Sequence, residues 1–119
     1  MPDPKIGIVG PCSAGKSTLI GALAGNYIRA HHIAQEHSKV PDMWKRLDQP
    51  DVLIYLDVSY PVSMQRRPLN MSSDEFVEQV NRLRHAREHA NLYIHTDELS
   101  PQGVFERVQG YLEARQGEK

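Results

Sequence analysis

Gly10, Gly15, Lys16 and Ser17 stand at the spacing G-x-x-x-x-G-K-[ST], the Walker A pattern, within the run Gly10-Pro11-Cys12-Ser13-Ala14-Gly15-Lys16-Ser17-Thr18. Such a segment can hold a chain of phosphates. Glycines let the backbone curl around an anion, and successive amides from about Ser13 through Ala14, Gly15, Lys16 and Ser17 to Thr18 then point at its oxygens. Lys16 would reach the β and γ phosphates as a movable charge. Ser17 would set its hydroxyl on Mg²⁺, and a helix opening there would add its positive dipole end. The cofactors expected are therefore ATP, or another nucleoside triphosphate, with Mg²⁺. The plainer reading is a glycine-rich turn with an incidental lysine. Context weighs against it, because the apolar run Ile6-Gly7-Ile8-Val9 leads in and a helical pattern leads out.

Mg²⁺ held by one hydroxyl needs further oxygen ligands, commonly a carboxylate at the end of a neighbouring strand. Two are suitably placed. Asp57 closes the apolar run Val52-Leu53-Ile54-Tyr55-Leu56, and Glu36 closes His32-Ile33-Ala34-Gln35. Pattern alone leaves both open as metal ligands. Arg66 and Arg67 lie between a helical stretch and Pro68, where they can offset phosphate charge; the competing reading is a solvated basic turn. Arg82, Arg84 and Arg87 lie among acidic neighbours and read as a solvated face. His31, His32 and His37 crowd together without a regular i, i+4 helical pair or a cysteine partner, so they read as hydrogen-bonded structural groups. Cys12 reads as inert filler, and Trp44 as core more readily than as a roof over a substrate.

These residues need a scaffold that brings loop ends together. Residues 5–9 and 52–58 are apolar and β-branched without polar alternation, the signature of buried parallel strands. Residues 28–35 and 92–95 are weaker strands, assigned because the surrounding helices leave little alternative. Helical patterns cover 16–24, a short stretch around Trp44 to Leu47, and a segment from Pro61 toward Arg67 that Pro68 interrupts. Ser72 and Glu75 form a capping box opening one helix whose face carries Phe76, Val80, Leu83 and Ala90. A last helix starts with Pro101 in its first turn and buries Val104, Val108, Tyr111 and Leu112. Strands alternating with helices predict an α/β fold, a three-layer α/β/α arrangement around a mostly parallel sheet of about four strands. One domain is expected over residues 1–116 with a tail at 117–119, the polar chain after Arg115 being expected to fray.

The bulk composition narrows the function classes. With 119 residues, 39% hydrophobic, and 14 basic against 15 acidic residues, the chain has no basic stripe for nucleic acid. No apolar run is long enough for a membrane span, the first five residues do not resemble a cleavable signal, and the single cysteine suits a reducing compartment. A cytoplasmic location, with neither nucleic acid nor membrane as a partner, is the expectation.

The chain also resembles the P-loop nucleoside and nucleotide kinases, a group that includes the nucleoside monophosphate and shikimate-like kinases, in a pared-down form. Glu36-His37-Ser38 is similar to that family's acidic-Arg-Ser/Tyr triplet beside the phosphate loop, and Leu56-Asp57-Val58-Ser59 through Arg66-Arg67 to its Leu-Asp-Val strand, helix and lid arginines. Ile94-His95-Thr96-Asp97-Glu98-Leu99-Ser100-Pro101 looks like its final strand and adenine-side loop. The resemblance implies a P-loop NTPase fold and an ATP-dependent phosphotransferase acting on a nucleotide or other small molecule. It gives Glu36 the metal-side or general-base role, leaves Asp57 indirect, makes Arg66 and Arg67 lid residues, and puts Asp97 near the base. Two departures stand out. His37 replaces the arginine, and only 20 positions separate Lys16 from Glu36, where the kinases insert a substrate-binding region. Those departures support the alternative of a nucleotide-binding module with little or no turnover that acts through a partner. A second copy of the chain completing so small a site is a further expectation, and the acceptor is not named by the sequence.

Overall fold

The computed structural model describes residues 4–66 and 71–117. Its elements, in chain order, are β1 (Ile6–Val9), α1 (Lys16–Ala24), β2 (Ala30–His32), a 3₁₀ turn (Gln35–His37), α2 (Met43–Leu47) and β3 (Val52–Asp57). There follow α3 (Tyr60–Arg66), α4 (Ser73–Arg82), α5 (Arg84–His89), β4 (Leu92–His95) and α6 (Pro101–Gly117). The four strands form one all-parallel sheet in the order β2-β1-β3-β4. That order begins the 2-1-3-4-5 sequence of flavodoxin-like doubly wound sheets, in which the chain reverses direction of travel between β1 and β3.

The central strands are apolar on both faces because helices cover both. Ile6, Ile8, Val52, Ile54 and Leu56 pack under Leu19 and Leu23 of α1 and Val104, Phe105, Val108 and Leu112 of α6. Val9, Leu53 and Tyr55 face the other way, onto Trp44 of α2 and Leu83 and Ala86 around α5. Trp44 is thus core. Among the described residues no helix is long and apolar enough to cross a membrane.

Three expectations change in detail. The strand read over 28–35 narrows to Ala30–His32, because it pairs only with β1 at the sheet edge and Gln35 and Glu36 turn into the 3₁₀ segment. The single helix read from Ser72 toward Ala90 is two, with Leu83 both closing α4 and preceding α5. The final helix continues past the point where fraying was expected, to Gly117. Ser72 does cap α4, its hydroxyl accepting from the Glu75 amide at 3.2 Å. Arg67 and Pro68 lie outside the described residues, as do residues 1–3 and 118–119.

Candidate phosphate-loop site

The loop after β1 is shaped by two glycines for different reasons. At Gly10, a Cβ would sit 2.1 Å from the Leu56 carbonyl oxygen, so β1 can run this close to β3 only without a side chain. Gly15 has φ of 100° and open space around it, and serves as the left-handed N-cap of α1. No side chain among the described residues caps that helix, and its first turn carries no acidic residue. Its leading N–H groups are therefore offered to an incoming acceptor.

Lys16 is 8% exposed and turned into the loop. Its ammonium donates to the Gly10 carbonyl, to the Pro11 carbonyl at 3.1 Å, and to Oε2 of Glu36 at 2.7 Å. Glu36 is 2% exposed; its other oxygen, Oε1, is buried with no partner among the described residues, and so is Oγ of Ser13. His32 Nε2 stands 3.3 Å from Glu36 Oε2. The turn that carries Glu36 is held firmly. Gln35 donates to the Val40 and Arg82 carbonyls and accepts from the Trp44 amide at 2.8 Å, while Arg82 donates to the Glu36 carbonyl at 3.3 Å.

Arg66 closes the other side, donating to Oγ1 of Thr96 at 2.8 Å, to the Thr96 carbonyl and to the Ser13 carbonyl at 3.3 Å. Lys16, Ser17, Thr18, Glu36, His37 and Arg66 all line one open cavity of about 520 Å³. Beside it lies a more apolar slot of about 290 Å³, sharing Gly15, Thr18 and Arg66 and walled by Leu19, Leu99, Pro101 and Val104.

Of the residues singled out in the sequence, Gly10, Ser13, Ala14, Gly15, Lys16, Ser17, Thr18, Glu36 and Arg66 therefore gather at the carboxyl ends of β1 and β2 and at the adjoining end of α3. Asp57 and Asp97 are placed differently. Asp57 accepts from the Val58 amide at 2.9 Å and from the Tyr93 hydroxyl, and it lines neither cavity. Asp97 accepts from the Ser59 amide at 2.8 Å. Burial pulls its carboxyl upward, but the Ser59 amide and hydroxyl, with the charges of His95 and Arg66, hold it below the usual carboxylate range. It ties the start of α3 to the end of β4.

Two features had no signal in the sequence. Gln79 of α4 grips Cys12 from both sides, its Oε1 accepting from the Cys12 amide and its Nε2 donating to Sγ, each at 3.2 Å. Cys12 also comes beside Glu36 and His37, so His37 has a cysteine neighbour after all. His31 is drawn off to Asp48 instead, at 2.5 Å.

No family model matches the chain, and no curated protein matches it. Among solved structures, one similar chain is HP1043, an orphan response regulator of H. pylori, at 14% identity and a TM-score of 0.41, with 93% of this chain and 99% of that chain covered. The expected membership of the P-loop nucleoside and nucleotide kinase family is corrected: no family model and no curated protein of that family matches, and the similar chain reported is a response regulator. The readings attached to that family are corrected with it: the P-loop NTPase label, the ATP-binding kinase-like phosphotransferase, and the partner-directed nucleotide module. The geometry gives a physical reason in the same direction. The segment between α1 and Glu36 holds only the three-residue edge strand β2, which leaves no room for the acceptor-binding region of a kinase. At this level of similarity the regulator's own role does not transfer to this chain.

Proposed function

We propose that the cavity at the carboxyl ends of β1 and β2 binds a phosphate chain together with Mg²⁺, a nucleoside triphosphate being the ligand class it suits. The observation that carries this reading is the convergence of an uncapped helix start, the Lys16 ammonium and the Arg66 guanidinium on one open cavity. In this reading Lys16 leaves the Gly10 and Pro11 carbonyls for phosphate oxygens, and the amides from Ser13 to Thr18 hold the rest. Glu36 Oε1, buried and without a partner among the described residues, and the exposed Ser17 hydroxyl are hard oxygen donors that fit Mg²⁺, whereas Asp57 is already engaged by Tyr93. The apolar slot beside the loop is suited to a planar base, and its walls come from Leu99 and Pro101 more than from Asp97. A cytoplasmic setting, rich in magnesium nucleotides, belongs to the same proposal.

Thermal unfolding of the full chain tests it, with Mg²⁺ alone, with Mg²⁺ and ATP or GTP, and with Mg²⁺ and inorganic tripolyphosphate. Ligand at a hundred times its Kd adds about 2.7 kcal/mol, which for a domain of this size raises Tm by roughly 10 °C. A shift with the triphosphates that Ser17→Ala reduces supports the reading. Identical melting with and without every triphosphate at millimolar concentration would remove it.

A further inference from the structure

We propose that Cys12, Glu36 and His37 form a site for a soft divalent cation, Zn²⁺ being the best match, at the mouth of the loop. One ligating atom from each of the three lies within 4.8 Å of the others. Sulfur, carboxylate oxygen and imidazole nitrogen are a zinc donor set, and three protein ligands leave a fourth position for water. Bonds of about 2.0–2.3 Å place tetrahedral ligand atoms roughly 3.3–3.8 Å apart, so the groups need to close by only about 1 Å. The exposed His37 ring has the freedom to make that movement.

A second observation, on the carboxylate of the same cluster, points to a ligand. Glu36 Oε2 is committed to Lys16 at 2.7 Å and stands 4.0 Å from His37 Nε2, while Oε1 is buried without a partner among the described residues, at a cost that a bound cation would remove. Supporting contacts are also in place. Gln79 fixes Cys12 through amide and sulfur, and His32 steadies the Glu36 carboxylate, as outer contacts do at built metal sites. On binding, the Cys12 thiol releases its proton to solvent and a sulfur–metal bond forms in its place, so affinity rises with pH. This site shares the Glu36 carboxylate with the Mg²⁺ position proposed above, so the two cations would compete for it, and the test below is made without nucleotide or magnesium.

Co²⁺ titration of the full, reduced chain tests it without any nucleotide. Stoichiometric binding with a near-ultraviolet thiolate-to-cobalt charge-transfer band is expected, with Zn²⁺ displacing the cobalt. Cys12→Ser should abolish the band, and His37→Ala, at an exposed position, should raise Kd at least about tenfold. Absence of the band in the wild-type protein, or an unchanged Kd in His37→Ala, would overturn the site, the latter because His37 would then not be a ligand.

Discussion

Lys16 and Glu36 are both withdrawn from water and meet at 2.7 Å. A buried pair of this kind contributes little net stability, because desolvation offsets the attraction, but removing one partner strands the other. Lys16→Met therefore leaves an uncompensated carboxylate and should cost about 3–5 kcal/mol. Adding Glu36→Gln removes that charge, so the double variant should recover most of the loss. Urea unfolding of the wild type, both single variants and the double variant reads this coupling directly. Additive single effects would mean that the two charges do not meet. The same cycle separates stability from ligand binding, which the double variant should lack even when well folded.

At the scale of elements, α4 links the site to the sheet, carrying Gln79 against Cys12 and Arg82 against the 3₁₀ turn. Its start depends on one hydroxyl, Ser72 to the Glu75 amide. Ser72→Ala should cost about 1 kcal/mol, measured as a lowered urea midpoint with unchanged slope, and an unaltered midpoint would show that the cap is not made. The reciprocal half of the expected capping box is replaced by a bond from the Ser72 hydroxyl to the Glu75 carboxylate at 3.3 Å. What could be read from sequence follows from how local each signal is. β1 and β3 were legible because burial on both faces leaves an uninterrupted apolar run, and the glycine-lysine loop because its spacing is contiguous. The break at Leu83 was not, since Leu83 fits the buried face of either helix. Glu36 was legible as a carboxylate following a strand, but it sits in a 3₁₀ turn four residues past the end of β2, because the strand stops at His32. The Gln79 grip on Cys12 spans 67 positions with no repeating pattern, so only the packing of α4 reveals it.

On the scale of the whole molecule, the carboxyl ends of β1 and β2 gather the loop-side charged groups, while β3 and β4, level with the end of β1, carry a tyrosine pair whose protons bear on stability. Tyr93 stacks on Tyr55 with ring centroids 5.7 Å apart and donates to Asp57. Burial first, then the Asp57 hydrogen bond and charge, push the Tyr93 phenol from 10.0 up to about 12. Burial, followed by the Asp57 charge, pushes Tyr55 up as well. Between pH 10 and about 12 the folded chain therefore keeps a Tyr93 proton that the unfolded chain releases. More protons bound in the folded state means that stability falls as pH rises, so this contribution is complete below pH 10 and is lost through about pH 12. Tyr93→Phe removes the ionisable group from that position but leaves Tyr55. Urea midpoints followed across this window should then fall less steeply in the variant than in the wild type, even though the variant starts lower at neutral pH for want of the Asp57 bond. Parallel curves would mean that the Tyr93 proton is held no more tightly in the folded chain than in the unfolded one.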